Sequence, residues 1–138
     1  MSKMNPVVHF ELPVEDRDRA SDFYANAFGW EAQKFGPEMG NYTVVSTSER
    51  GENGFPKNPG MINGGLFQRA DEKSCPSVVI AVDDINEAMK AVEESGGEVL
   101  GGSQGKDKPD DIPGVGLFIS IKDTEGNRIG VLQPNSKM

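Results

Sequence analysis

The chain has 138 residues and a formal net charge of −8, from 22 acidic and 14 basic side chains. This length allows one domain with a hydrophobic core, or two half-size modules that share one. No run of lysine and arginine is present to neutralise phosphates, which argues against a nucleic acid or an anionic membrane as partner. The N-terminus lacks the apolar run of a signal peptide, no later segment could span a bilayer, and the single cysteine, Cys75, excludes an internal disulfide. We therefore expect a soluble, cytoplasmic protein.

The chain opens with a predicted strand, Val7–Leu12, which we expect Pro13 to end. Alternation along a strand places His9 and Glu11 on one face and the apolar residues on the other. Asp16 can cap the helix that follows, and Gly29 can end it. The helix carries one apolar stripe at helical spacing, which we expect to be buried against a sheet and which consists of Ala20, Phe23, Tyr24, Ala27 and Phe28.

Three weaker strand patterns complete this half: Glu31–Phe35, Asn41–Thr47 and Met61–Arg69. The segment Ser48–Gly60 has the glycine, proline and polar content of a long loop, and a lid over a cleft would fit it. The glycine pair Gly64–Gly65 weakens the last strand, so it indicates a bulge or a close approach to the backbone.

The strand–helix pattern recurs 68 residues later, with His9 replaced by Ser77. A polar segment, Ala70–Pro76, separates the halves. The second half has the predicted strands Ser77–Val82, Glu98–Leu100, Leu117–Ile121 and Arg128–Gln133, a helix from Asp84 to Gly96–Gly97, a flexible loop over Gly101–Gly116 and a tight turn at Asp123–Asn127. The prediction is an α+β fold in which two βαβββ modules, residues 5–70 and 75–136, form one domain over residues 5–136. Two such sheets would make a curved, half-open barrel with the helices outside and a central cleft.

Several motifs in this order resemble a known superfamily. They are HFELP at residues 9–13, FYxxxFGW at 23–30, INGGLF at 62–67, VDDI at 82–85 and DxEGNxIGVLQP at 123–134. The pattern is similar to the vicinal-oxygen-chelate superfamily, which includes glyoxalase I, bleomycin-resistance proteins and extradiol dioxygenases. The nearest resemblance is to its branch of predicted proteins related to lactoylglutathione lyase.

The resemblance implies a divalent metal held by one side chain on the first strand and one on the last strand of each module. The corresponding residues here are His9, Gly65, Ser77 and Gly130. His9 alone is a good ligand, whereas a stable divalent site needs three or four converging N, O or S donors. A divalent metal is thus possible as a cofactor, but this ligand set does not support it. Glyoxalase chemistry depends on such a metal, so the sequence does not support true glyoxalase I activity.

His9 and Glu11 are the candidate catalytic residues. With an ordinary pKa near 6.5, His9 could act as a general acid or base, or it could be a remnant ligand hydrogen-bonded to a neighbour. Glu11 could orient His9 or ligate a metal, or it could pair with nearby backbone or an arginine. The glycines Gly65 and Gly130 leave room for a small molecule or relieve packing between strands. The predicted ligand-lining set is Tyr42, Asn63, Gly65, Phe67, Ser77, Phe118, Ser120, Gly130 and Gln133.

Three functions stay open at this point. The first is a protein that binds a small organic molecule in its cleft and has a degenerate metal site, including a lactoylglutathione-lyase-related enzyme. The second is a non-catalytic protein that sequesters a drug, as bleomycin-resistance proteins do. The third is an interaction protein without a small ligand. The family resemblance also implies a homodimer.

Overall fold

The computed structural model describes residues 4–70 and 74–135. The chain divides into two compact units. One comprises His9–Ser77, and the other comprises residues 78 onwards with the residues before His9. We use the names first module and second module for residues 7–68 and 77–134, which span the strands and helices of the two repeats. No helix among the described residues is long and apolar enough to cross a membrane.

The first module contains one long helix and four strands. Its elements are β1 (Val7–Val14), α1 (Arg17–Phe28), β2 (Glu31–Lys34), a 3-10 turn (Pro37–Met39), β3 (Thr43–Ser46) and β4 (Asn63–Gln68). The strand order is β2-β3-β4-β1, with β1 parallel to β4 and the other neighbours antiparallel. Its buried strand residues include Thr43, Val45 and Leu66, each exposed by 1% or less.

The second module repeats this topology. Its elements are β5 (Ser77–Ala81), α2 (Ile85–Glu94), β6 (Glu98–Gly101), β7 (Asp110–Ile112), β8 (Gly116–Lys122) and β9 (Arg128–Pro134). The order is β5-β9-β8-β6, with β5 parallel to β9, and β7 also pairs with β8. The predicted α+β fold of two βαβββ modules is confirmed. The assignment of residues 5–136 to one domain, and the placement of the modules around a central cleft, stay predictions.

Both helices begin where the sequence predicts. The Asp16 carboxylate accepts the Arg19 N–H at 3.0 Å, and the Asp84 carboxylate accepts two N–H groups at 2.9 and 3.2 Å. Gly29 ends α1 in the left-handed conformation (φ 75°), which glycine adopts without strain. The starts of both helices and the end of α1 were therefore predicted from their capping residues, whereas α2 ends at Glu94, before the predicted Gly96–Gly97.

The two helices differ in what they bury. Helix α2 buries Ile85 completely and packs Ala88, Met89 and Val92 against the core of its module. Within α1, only Ser21 is buried. The prediction that the whole apolar stripe of α1 is buried is wrong.

Aromatic stacking explains this difference. Phe23 and Phe28 are 56% and 66% exposed. Tyr24 stacks on Trp30, with ring centroids 4.5 Å apart, and Phe23 lies edge-on to Tyr24 at 5.0 Å. The rings thus pack against one another on the helix surface, because aromatic pairs gain from such contacts without full burial.

Two local predictions also need correction, and a third lies partly outside the described residues. Pro13 does not end β1, because the strand continues to Val14 with Pro13 paired to Phe67. Strand β7 lies inside the segment predicted as a flexible loop. Of the predicted hinge Ala70–Pro76, residues 71–73 lie outside the described part of the chain.

Candidate functional site

Strand register places five predicted site residues on one face of the first module. In the parallel pair, His9 lies beside Asn63 and Glu11 beside Gly65. Because side chains alternate along each strand, all four positions share a face, as does Phe67 two residues after Gly65. The predicted orientation of His9 and Glu11 agrees with this register.

Tyr42, the residue immediately before β3, lies on the same face. Val44 pairs with Gly65, so Tyr42, two residues earlier, lies on the same side. A Cβ atom added at Gly65 would overlap the hydroxyl and ring of Tyr42. The glycine therefore admits the Tyr42 ring, which occupies the space that a side chain at position 65 would need. Ligand contact at Gly65 stays a prediction.

The Tyr42 hydroxyl connects the two candidate catalytic residues. It donates a hydrogen bond to Glu11 Oε2 at 3.0 Å and lies 3.0 Å from His9 Nε2. Since the single phenol proton goes to Glu11, the phenol oxygen accepts from Nε2–H of His9. This leaves Nδ1 unprotonated, as the acceptor nitrogen of a neutral imidazole. We refer to these three side chains as the His9–Tyr42–Glu11 network.

The surroundings keep both ring systems of the network uncharged. Burial, as the larger cause, and the positive charge of Arg50 together lower the pKa of His9 from 6.5 to about 4. Burial also raises the pKa of the Tyr42 phenol well above its usual range, assisted by the charge of Glu11 and by the hydrogen bond to it. At neutral pH the network therefore contains a neutral histidine and a protonated tyrosine.

Asn63 connects the same face to the loop that follows β3. It is 5% exposed, and its Oδ1 accepts the backbone N–H groups of Thr47 at 2.7 Å and Ser48 at 3.0 Å. Its Nδ2 is buried and has no hydrogen-bond partner among the described residues. An unpaired buried amide is costly, so it is a group that a ligand could satisfy.

The second module carries apolar or small residues at the corresponding places. Val79 and Ser120 both pair with Gly130, so Val79 corresponds to Glu11, and Ser77 corresponds to His9. Phe118 corresponds to Tyr42, and its ring lies 2.8 Å from where a Cβ at Gly130 would stand.

The remaining ligand-lining predictions divide between the two faces. Ser77, Phe118, Ser120 and Gly130 share a face by register, and Arg128 Nη2 donates to Ser120 Oγ at 3.4 Å. Gln133 projects to the opposite face, where its Oε1 accepts the N–H of Ile85 at 2.9 Å and so caps α2. This corrects its placement with Phe118 and Ser120, which the odd spacing between Gly130 and Gln133 already opposes.

The residues at His9 do not fit a divalent metal. Among residues 4–70 and 74–135, no group of three His, Cys, Asp or Glu side chains could hold an ion. His9 and Glu11 supply two donors, and the Tyr42 ring takes the space beside Gly65. Such a pair falls short of the three or four donors of a stable site. Metal ligation by His9 is therefore not supported.

Two parts of the site escaped the sequence analysis. Tyr42 was predicted only to line a pocket, and the effect of Arg50 on His9 was not foreseen. The available signal for the first was a strand glycine, Gly65, together with an aromatic residue just before a neighbouring strand, because aromatic rings can cover strand glycines. Arg50 lies in a loop whose path no periodicity predicts.

The sequence is similar to a known family and to proteins from other organisms. Residues 7–48 match a family model described as bleomycin resistance protein-like N-terminal. A glyoxylase-like domain-containing protein of Didymella fabae is 31% identical over 121 residues, which cover 85% of this chain and 84% of that protein. A probable chloroplastic lactoylglutathione lyase of Arabidopsis thaliana is 27% identical over 117 residues, which cover 83% of this chain but 31% of the lyase.

Solved structures of other proteins have the same fold as this chain. A variant of Streptomyces coelicolor methylmalonyl-CoA epimerase in complex with 2-nitronate-propionyl-CoA has a TM-score of 0.69 at 14% identity, covering 97% of both chains. A selenomethionine methylmalonyl-CoA epimerase has a TM-score of 0.67 at 18% identity, covering 99% of this chain and 100% of that one. At these identities the likeness shows the fold alone. The Didymella protein, which is 31% identical over most of both chains, shows that this chain belongs to the glyoxalase-like family of the vicinal-oxygen-chelate superfamily.

Proposed function

We propose that this protein binds a small organic molecule on the face of the first module that carries the His9–Tyr42–Glu11 network, and that binding needs no metal. The observation that carries the proposal is the network itself. Three partly buried polar side chains lie where the second module has serine, phenylalanine and valine. Burying polar groups costs free energy, and the second module shows that the topology does not require them.

The chemistry of this face favours a ligand with a carbonyl or carboxylate and a hydrogen-bond donor. His9 Nδ1 can accept a hydrogen bond, and Asn63 Nδ2 can donate one. Arg50 brings a positive charge close enough to act on His9. The loop Ser48–Gly60, which begins beside Asn63 and carries Arg50, would cover the bound molecule as a lid.

A second candidate is a lactoylglutathione-lyase-related enzyme, which the Arabidopsis relative favours. In that case His9 Nδ1 would take a proton from a hydroxyl-bearing carbon next to a carbonyl and return it to the carbonyl carbon, while the hydroxyl proton passes to the former carbonyl oxygen. Tyr42 and Glu11 would hold the imidazole in the required orientation. A base whose pKa lies near 4 is weak at neutral pH, so binding without turnover, as in bleomycin-resistance proteins, is the leading proposal.

Calorimetric titration tests this proposal with S-lactoylglutathione and bleomycin as probes, in buffer with and without EDTA. We expect one of them to bind equally in both buffers and to lose at least about tenfold in affinity in His9→Ala. Arg50→Ala should weaken binding of an anionic probe, whereas Arg19→Ala, a matched loss of an exposed arginine, should not. Binding that survives His9→Ala would contradict the proposed site, and binding lost in EDTA would contradict metal independence. Formation of methylglyoxal together with glutathione from S-lactoylglutathione would favour the enzyme.

Two further expectations are also proposals, the first from the family resemblance and the second from the composition of the sequence. The protein would form a homodimer, and it would act in the cytoplasm. Sedimentation velocity tests the first directly, because a dimer has twice the mass of the 14.9 kDa chain.

A further inference from the structure

We infer that the Tyr42 hydroxyl is a built-in substitute for a metal ion in the first module. It takes the position between His9 and Glu11 at which a cation would be ligated, so Tyr42 acts as the positioning residue of the site. The inference explains how the proposed function can proceed without a metal. It depends on that function only for the identity of the ligand, so the two can fail separately.

The first step is the occupation of space. The family pattern calls for a ligand side chain at position 65, and Gly65 has none. An added Cβ would overlap the Tyr42 hydroxyl and ring carbons. The phenol thus stands where the missing ligand would begin, and no side chain can be added at position 65 while Tyr42 holds this position.

The second step is the convergence of donors. His9 Nε2 and Glu11 Oε2 both lie 3.0 Å from one atom, the Tyr42 oxygen. Zinc holds such nitrogen and oxygen ligands at about 2.0–2.2 Å, so a cation and the phenol cannot share this position. Two potential ligands are therefore directed at a single point, and a hydroxyl group satisfies both.

The third step is the internal comparison with the second module. There Phe118 covers Gly130 in the same way, but the positions of His9 and Glu11 hold Ser77 and Val79. An aromatic ring over the glycine is common to both modules. The hydroxyl occurs only in the module that has the two donors, which indicates that it serves them and not the packing.

Zinc titration of matched double variants tests the inference. Tyr42→Ala with Gly65→Glu removes the phenol and restores the third ligand beside His9 and Glu11. We expect it to bind one Zn²⁺ per chain, at least about 100-fold more tightly than the wild type. Phe118→Ala with Gly130→Glu makes the same exchange in the second module, where Ser77 and Val79 stand in place of His9 and Glu11. This variant should bind Zn²⁺ no better than the wild type.

Equal gains in the two double variants would overturn the inference, because a new glutamate alone would then explain the binding. The same applies if the first double variant folds, as judged by circular dichroism, and gains nothing. The wild type gives a test that does not depend on any double variant. If it binds one Zn²⁺ per chain tightly and loses the ion in His9→Ala, Tyr42 is not a substitute for a metal.

Discussion

The two modules are built on the same plan but differ where chemistry could occur. In each, the first and last strands are parallel, a glycine lies on the last strand, and an aromatic ring from the neighbouring strand covers it. In the first module the ring belongs to Tyr42 and joins His9 to Glu11. In the second it belongs to Phe118, beside Val79. The parallel strands, the glycine and the covering ring thus belong to the fold that both modules share, whereas the polar network occurs only in the first module.

This comparison separates what folding needs from what a site needs. In the second module Ile85 and Ile119 are completely buried, and Ser77, Phe118 and Val79 stand in place of the network. The first module contains a partly buried histidine, a partly buried phenol and a buried Asn63 amide nitrogen without a hydrogen-bond partner among the described residues. Departures from apolar packing of this kind concentrate at functional sites. The first module is therefore where we expect ligand chemistry.

The largest expected effect comes from removing each aromatic ring in turn. Phe118→Ala should lower the free energy of unfolding by about 3 kcal/mol, because it leaves a cavity over Gly130. Tyr42→Ala should cost about 1 kcal/mol more, because His9 and Glu11 also lose a hydrogen-bond partner. Urea unfolding of both variants measures the difference. Equal losses would show that the network adds nothing to stability, and would weaken the contrast between the modules.

The second effect is a pH dependence that only the first module can supply, since His9 is the single histidine. Its pKa is about 4 in the folded chain and 6.5 as the unperturbed value, so between these limits the unfolded chain binds more protons. The contribution of His9 to the free energy of unfolding should therefore be fully present above pH 6.5. It should fall by about 3 kcal/mol as the pH drops to 4. Urea midpoints from pH 4 to 8 measure this. In His9→Ala this part of the pH dependence should vanish, and a wild-type slope there would refute the assignment.

The smallest expected effect is the loss of stability when the N-cap residue of each helix is replaced. Asp84 accepts two N–H groups at the start of α2, whereas Asp16 accepts one at the start of α1. Replacement by alanine should cost about 1 kcal/mol at Asp84 and about half of that at Asp16. Thermal unfolding of the pair measures the order. A larger loss at Asp16 would show that α1, despite its exposed Phe23 and Phe28, depends more on its ends than α2 does.

The strands and the starts of the helices could be predicted from the sequence, because they depend on residues that are near one another in the chain. Alternation placed His9 and Glu11 on one face, and cap residues fixed the starts of both helices. The site itself could not be predicted, because Tyr42 is 31 and 33 residues from its two partners. Its contact with them depends on the register of β3 on β4 and on the absence of a side chain at Gly65. The exposure of Phe23 and Phe28 was missed for a similar reason, since a periodic stripe does not tell whether the rings pack on a sheet or on each other.

The hydrogen-bond direction within the His9–Tyr42–Glu11 network can be measured directly. Long-range ¹H–¹⁵N NMR of the single histidine reports which ring nitrogen carries the proton. The structure requires the proton on Nε2 and a bare Nδ1 in the wild type, and a weakened preference in Tyr42→Phe, which keeps the ring but lacks the acceptor oxygen. A proton on Nδ1 in the wild type, or a nitrogen pattern that is identical in Tyr42→Phe, would contradict the account.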